Sequence, residues 1–261
     1  MSNSIFSSIS KYCTSLKKLE IGGSFKDYNF NFSLEGFKLL SEASFNLEIL
    51  RIEYCAKVGD KTISFISEKF NKSLKEFHLV RNCFEKCSKI TDEGMLGLKP
   101  CINLENLTIC YSRKFKEHAH LHIARNLHNL LVLNLKDCIL QEDLSIFKTE
   151  CPRLEEVNLS GNSWVKSQAL IGLSRHSNLR ILHLGHFEHS ENSCDQNLQE
   201  YPPKGMFIES LFKQDESFVK LHTLHLEQEC SLTYWLDIRI KKLRPKLSIK
   251  YTQTDHLLKK N

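Results

Sequence analysis

The sequence predicts an α/β solenoid in which short parallel strands line the concave face of a horseshoe and helices cover its convex face. A nine-residue frame with apolar first, fourth and sixth positions recurs along the chain, and the stretches between copies carry apolar residues at helical spacing. One such unit cannot bury its own apolar face, whereas stacked neighbours can. We therefore expect residues 1–261 to form a single domain of about eight repeats.

The frame reads L-x-x-L-x-L-x-x-(N/C/S), with other apolar residues replacing some of the leucines and a few exceptions at the ninth position. Its copies begin at Leu16, Leu47, Leu74, Leu104, Leu130, Leu154, Leu179 and Leu221. Successive starts are therefore 31, 27, 30, 26, 24, 25 and 42 residues apart. A partial ninth copy, Leu247-x-Ile249, would place Lys246, Ser248 and Lys250 at positions three, five and seven.

The positions of the frame differ in their expected roles. Positions four and six alternate as in a strand and point into the core, so positions three, five and seven point to the concave surface. The small polar or Cys residue at position nine can satisfy main-chain groups that the following turn leaves free. Stretches between copies, such as the one containing Leu144 and Phe147, are amphipathic at helical spacing and predict the outer helices.

Two connecting segments carry a further motif. Ile90-Thr91-Asp92-Glu93-Gly94-Met95-x-x-Leu98 resembles the I-T-D-x-G-L segment of cysteine-containing leucine-rich repeats, and residues 58–66 are a looser copy. Cys-x-x-Leu openings at Cys13, Cys101 and Cys151 also match that subclass. In these segments Thr or Asp is expected to cap the helix, with an acidic residue in its first turn.

The chain thus resembles the repeat half of F-box/LRR proteins, well over residues 13–187 and more loosely over 218–250. The resemblance implies non-enzymatic recognition of substrates for an SCF-type (cullin) ubiquitin ligase, leading to proteasomal degradation. Residues 1–15 are too short for the F-box of that family, and Phe6 and Ile9 predict the outer helix of an incomplete first repeat. Ligase subunits would then be reached through a missing or separate module. The alternative is a stand-alone repeat scaffold or inhibitor with no link to ubiquitin.

The basic charge lies at the C-terminal end. The net charge is +5, and residues 239–261 hold eight Lys or Arg against one Asp, which is +7 and leaves −2 for the rest. This distribution argues against a nucleic-acid-binding face along the solenoid. We expect residues 231–261 to form a basic cap whose buried side chains are Trp235, Leu236, Ile238 and Ile240. No apolar run reaches the ~18 residues of a membrane span, and the N-terminus lacks a signal-peptide core.

The ten cysteines follow the repeat register, which predicts reduced packing thiols and a reducing compartment, the cytoplasm or nucleus. A zinc site at Cys83, Cys87, Cys101 and Cys110 is the alternative, but it lacks the paired C-x2-C spacing. His118 and His122 share a helix face, but no Glu or Asp is expected on that face to complete a metal site, since the adjacent Glu117 would lie on another side. No nucleophile or phosphate-binding motif is present. We expect a non-enzymatic, monomeric protein without metal or cofactor.

A protein partner is expected on the concave face, with neither nucleic acid nor membrane. The residues predicted to bind it occupy positions three, five and seven of the frame. They are Ile49, Arg51, Glu53, Glu76, His78, Val80, Thr108, Val132, Asn134, Asn158, Ile181, His183 and His225. The interval of 42 residues holds an inserted loop at 188–205, which either contacts the partner or is a tolerated insertion.

Overall fold

The computed structural model describes residues 4–22, 32–40, 42–55, 57–80, 89–112, 114–116, 118–138, 144–162, 167–185, 204–227 and 231–252. Nine strands lie in this part of the chain: β1 Lys18–Ile21, β2 Ile49–Glu53, β3 Glu76–Val80, β4 Asn106–Ile109, β5 Val132–Asn134, β6 Glu156–Asn158, β7 Ile181–Leu184, β8 Thr223–Glu227 and β9 Ser248–Thr252. Helices alternate with them: α1 Ser4–Tyr12, α2 Leu34–Lys38, α3 Asp60–Phe70, α4 Asp92–Gly97, α5 Ala119–Asn126, α6 Ile146–Glu150, α7 Ser167–Ser174, α8 Lys204–Phe212 and α9 Ser231–Leu243.

The strands form one parallel sheet in chain order, from β1 to β9. Each strand is followed by a helix before the next strand begins, so every repeat packs mainly against its two neighbours. The predicted fold class, a leucine-rich-repeat solenoid of parallel strands and helices, is confirmed.

The core lies between the sheet and the helices. In the eight predicted copies the side chains at positions four and six are buried, as in β2, where Leu50 and Ile52 have no exposed surface. Position one is also buried, except that Leu16 and Leu221 are partly exposed. Helix residues such as Ile63 and Ile123 complete a single contiguous apolar cluster. The other side of the sheet, which we call the open face, carries the side chains at positions three, five and seven.

Main-chain hydrogen bonds connect successive repeats in one recurring pattern. The carbonyl of Lys17, at position two, accepts hydrogen bonds from the amides of Glu48 at 2.8 Å and Ile49 at 3.0 Å in the next repeat. The carbonyls of Glu48, Lys75, Glu105, Leu131, Glu155 and Arg180 do the same for the repeats that follow. The register is therefore constant, and position five forms one row: Glu20, Arg51, His78, Thr108, Asn134, Asn158, His183, His225 and Lys250.

The predicted register of the ninth copy is wrong by two residues. Thr223 pairs with Ser248 and His225 with Lys250, so Ser248 occupies position three and Lys250 position five. The copy offered only two apolar residues at alternate positions, Leu247 and Ile249. With a period of two, that pattern fits positions two and four as well as four and six.

The described turns after β2, β4, β5 and β6 share a feature at position eight, and position nine also contributes. Tyr54, Tyr111, Asp137 and Gly161, all at position eight, have φ between +55° and +73°. At position nine, Asn162 Nδ2 donates to the carbonyls of Leu135 at 2.8 Å and Leu159 at 3.0 Å. The expectation that position nine satisfies main-chain groups is confirmed, whereas the left-handed residue before it was not foreseen.

The ends of the solenoid lie partly within the described residues. Phe6 of α1 is buried in the core, and α9 buries Leu236 and Ile240. The prediction for Ile238 is wrong: it is 42% exposed, because residues two apart on a helix point in nearly opposite directions. The side chain of Trp235 and residues 188–203 of the predicted insert lie outside the described part of the chain. No described helix combines the length and apolar character needed to cross a membrane.

Candidate protein-binding surface

The residues predicted to bind a partner all lie on strands β2 to β8 and share the open face. Twelve of the thirteen are half-buried among their neighbours on adjacent strands. The exception is Thr108, which is only 7% exposed. It lies between His78 and Asn134 in the position-five row, and their larger side chains flank it, so the prediction that it is exposed is wrong.

The N-terminal third of the open face carries ion pairs within single strands. Lys18 Nζ lies 3.1 Å from Glu20 Oε1, and Arg51 Nε lies 2.6 Å from Glu53 Oε1. His78 Nε2 is 3.2 Å from Glu76 Oε2. Burial lowers the pKa of His78 below its ordinary value, although the hydrogen bond to Glu76 opposes that shift. The charges of Lys18 and Arg51 are thus matched by glutamates on their own strands.

The middle of the open face is amide-rich. Asn134 and Asn158 lie side by side on β5 and β6. Asn134 Oδ1 accepts from the amide of Lys136 at 3.1 Å, and Asn158 Oδ1 accepts from the amide of Ser160 at 2.9 Å. Half-buried Val132 occupies position three beside Asn106 and Glu156, which gives this region both apolar and hydrogen-bonding contacts.

The C-terminal third carries two stacked imidazoles. The rings of His183 and His225 have centroids 4.0 Å apart and an interplanar angle of 10°. His183 Nε2 lies 3.1 Å from Glu156 Oε1, and this hydrogen bond lowers the pKa of the Glu156 carboxyl. Burial, followed by the charges of His183 and Lys250, lowers the pKa of His225. Nδ1 of His225 is buried and has no hydrogen-bond partner among the described residues.

No disulfide joins the cysteines that the structure describes. Cys55, Cys101, Cys110 and Cys151 are buried. Burial raises the pKa of Cys55, Cys110 and Cys151 to about 12 and that of Cys101 to about 11. Such thiols are poor nucleophiles and poor metal ligands at neutral pH. Cys83 and Cys87 of the alternative zinc site lie outside the described residues.

A carboxylate does lie near His118, the N-cap of α5, contrary to the expectation from sequence. Asp92 of the preceding repeat places Oδ2 4.0 Å from His118 Nδ1. Its two oxygens accept hydrogen bonds from the amides of Lys116 at 2.8 Å and His118 at 3.1 Å. Asp92 thus fixes the loop before α5. The described residues contain no group of three His, Cys, Asp or Glu side chains arranged to hold a metal ion.

Several basic residues near the C-terminus hold α9 against α8. Arg239 Nε lies 3.0 Å from Glu209 Oε2. The guanidinium of Arg244 donates to the carbonyls of Phe212, Gln214 and Ser217, where α8 ends. These contacts favour a structural use of the basic segment.

One set of recurring side chains was missed by the sequence reasoning. Asn103, Asn129 and Asn178 each precede the first leucine of a copy, and each donates through Nδ2 to a carbonyl of the previous repeat, at 3.0, 2.9 and 2.8 Å. The signal was present, because Asn recurs immediately before Leu104, Leu130 and Leu179. These asparagines bind neighbouring repeats together, so they belong to the scaffold of the surface.

Comparison with known proteins gives a limited result. No protein-family model matches the chain. A crystal structure of the complex of Rad7 and Elc1 in yeast superposes with a TM-score of 0.43 at 15% sequence identity, covering 97% of this chain and 75% of that chain. The open face itself is therefore the basis for inferring function.

Proposed function

We propose that the chain recognises a protein partner through its open face and selects that partner as a substrate of an SCF-type (cullin) ubiquitin ligase. The observation that supports recognition is the open face itself, in which twelve half-buried side chains stand in register on six strands, β2, β3 and β5 to β8. The sequence resemblance to cysteine-containing leucine-rich repeats supports the ligase role.

The composition of the open face suits a protein partner. Ile49, Val80, Val132 and Ile181 are half-buried apolar side chains with no part in the core, and charged or amide groups surround them. Apolar contacts inside a polar surround are typical of interfaces between proteins that also exist apart. Scattered single apolar side chains are ordinary on surfaces, but these four lie on one ordered sheet.

The chemistry of the open face favours binding over catalysis. In the described chain, no hydroxyl or thiol is hydrogen-bonded to His78, His183 or His225, so none of the three activates a nucleophile. The buried thiols have raised pKa values and cannot take that role. The absence of disulfides among the described cysteines supports a reducing compartment, the cytoplasm or nucleus, for the proposed role.

The test uses Val132→Lys with Ile102→Lys as its matched control. Glu156 lies beside Val132 on the next strand, so a lysine there finds an ion-pair partner and the fold is retained. Ile102 is 62% exposed and lies outside the strands. We expect capture from cell lysate, read by mass spectrometry, to recover a partner with the native chain and with Ile102→Lys but not with Val132→Lys. Equal recovery with all three chains would move the site off the open face.

The ligase role has its own readouts. We expect cullin-ligase subunits among the captured proteins and a longer half-life of the partner in cells depleted of the chain. A captured partner whose half-life stays the same, with no ligase subunit recovered, would instead support a stand-alone scaffold or inhibitor.

A further inference from the structure

The two asparagines in the middle of the open face are held in one orientation. Asn134 and Asn158 are direct neighbours across β5 and β6. In each, Oδ1 accepts from the main-chain amide two residues further on, at 3.1 Å and 2.9 Å. A main-chain N–H can only donate, so each carboxamide must turn its oxygen towards its own strand. The NH₂ groups of both residues are thereby directed away from those amides.

The NH₂ groups are unused donors. Within the described chain neither Nδ2 has a hydrogen-bond partner, and neither belongs to the buried polar atoms that lack one, so both remain accessible. Neighbouring strands of a sheet lie about 4.8 Å apart. Two donors at that separation can both bind one carboxylate, whose two oxygens accept from different directions.

The position-five row favours a negatively charged ligand. Beyond Asn158 the position-five row continues with His183, His225 and Lys250, and it holds no acidic residue between Thr108 and Lys250. Lys136 adds a positive charge at position seven of the repeat that contains Asn134. Two acidic residues lie near this part of the row: Glu156, at position three, is hydrogen-bonded by His183, and Asp137 follows Lys136 in the turn at position eight. Position five itself carries no carboxylate between Thr108 and Lys250.

We infer that the open face at β5 and β6 binds an Asp or Glu side chain from an extended acidic segment of the partner protein, with Asn134 and Asn158 donating to the carboxylate. This inference rests on the proposed function, because it assigns a chemistry to part of the same surface. The segment would continue along position five over the imidazoles towards Lys250.

The decisive variants are Asn134→Asp and Asn158→Asp, made singly. An aspartate keeps the oxygen that accepts from the main-chain amide, so the fold is preserved, but it replaces the outward NH₂ group by a charged oxygen. The control is Asn46→Asp, which makes the same change of charge at an exposed residue outside the strands. Urea unfolding should give the same midpoint for all of these chains within error.

The probe is a phage-displayed library of random peptides selected on the immobilised native chain. We expect the selected peptides to share Asp or Glu at a fixed position and to bind more weakly as salt is added. Loss of charge-assisted hydrogen bonds should weaken a selected peptide by about tenfold or more in Asn134→Asp and Asn158→Asp, with its affinity unchanged in Asn46→Asp.

A library without binders, a consensus without acidic residues, or equal affinity in Asn134→Asp would each overturn the inference. None of these outcomes contradicts the proposed function. That proposal fails separately if Val132→Lys captures the partner as well as the native chain does.

Discussion

The carboxylate of Asp60 binds Thr91 in the next repeat. Its Oδ1 accepts from the Thr91 amide at 2.8 Å, and its Oδ2 accepts from the Thr91 hydroxyl at 2.8 Å. Thr91 is itself the N-cap of α4, where its Oγ1 accepts from the amide of Glu93. Asp60, in the first turn of α3, therefore fixes the start of the neighbouring helix α4. It also places a negative charge at the start of its own helix.

Removing this carboxylate should destabilise the solenoid. We expect Asp60→Ala to lower the free energy of unfolding by about 2 kcal/mol, because two charge-assisted hydrogen bonds are lost and Thr91 loses its partner. Urea denaturation followed by circular dichroism measures the change. Glu68→Ala, an exposed acidic residue on the same helix, should change the stability by no more than about 0.5 kcal/mol. Equal effects of the two changes would show that Asp60 contributes no more than surface charge.

The glycine of the same motif should be intolerant of a methyl group. A Cβ on Gly94 would lie 2.5 Å from Asp60 Oδ1 and 3.1 Å from Ile63 Cδ1. Alanine usually stabilises a helix by about 1 kcal/mol over glycine, but here we expect Gly94→Ala to destabilise the chain. In an Asp60→Ala background the same substitution should become milder or favourable, since the colliding oxygen is gone. Additive effects in this double-mutant cycle, measured by urea unfolding, would contradict the contact.

Thiol reactivity should differ sharply along the chain. Cys13 is exposed, whereas burial raises the pKa of Cys151 to about 12 and that of Cys101 to about 11. In a short pulse of N-ethylmaleimide at neutral pH, we expect Cys13 to be alkylated while Cys101 and Cys151 are modified only after denaturation. Peptide mass spectrometry reads each site separately. Early labelling of Cys151 would mean that the repeat around it opens readily.

Stability should fall on mild acidification, with His176 as one cause. Its Nε2 lies 3.0 Å from the carbonyl of Cys151, and its Nδ1 accepts from the amide of Asn178 at 3.2 Å. Both ring nitrogens are therefore used by the neutral imidazole, and burial lowers the pKa of His176. The unfolded chain then binds more protons than the folded one, so this contribution is present above pH ~6.5 and is lost as the pH falls below it.

The pKa values of His78 and His225 are also lowered by burial, so they act in the same direction. We expect the urea midpoint to decrease continuously from pH 7.5 to 5.5, and the decrease to be smaller in His176→Gln. A midpoint independent of pH over this range would contradict the assignment.

The residues that were predictable from sequence are those whose neighbours are fixed by the repeat itself. Leu50 and Ile52 could be assigned to the core because a period of two leaves one choice once the frame is set. Cys55 and Asn162 could be assigned to the turn for the same reason. The open-face location of Asn134, Asn158 and His183 also follows from the frame.

What could not be predicted depends on contacts between repeats. The burial of Thr108 is set by the sizes of His78 and Asn134 on adjacent strands. The reach of Asp60 to Thr91 depends on how closely α3 and α4 approach, which Gly94 permits. The orientation of the two open-face carboxamides depends on main-chain amides that have no sequence signature.

The constant register across all nine strands has a consequence for how a ligand finds its place. If every strand carried identical side chains, a bound segment could shift by one strand with no change in its binding free energy. It would then have no single binding register. The change along the sheet from ion pairs at β1–β3, through amides at β5 and β6, to imidazoles at β7 and β8 removes that translational symmetry. A complementary chain can therefore match the ion pairs, the amides and the imidazoles together in only one alignment along the sheet.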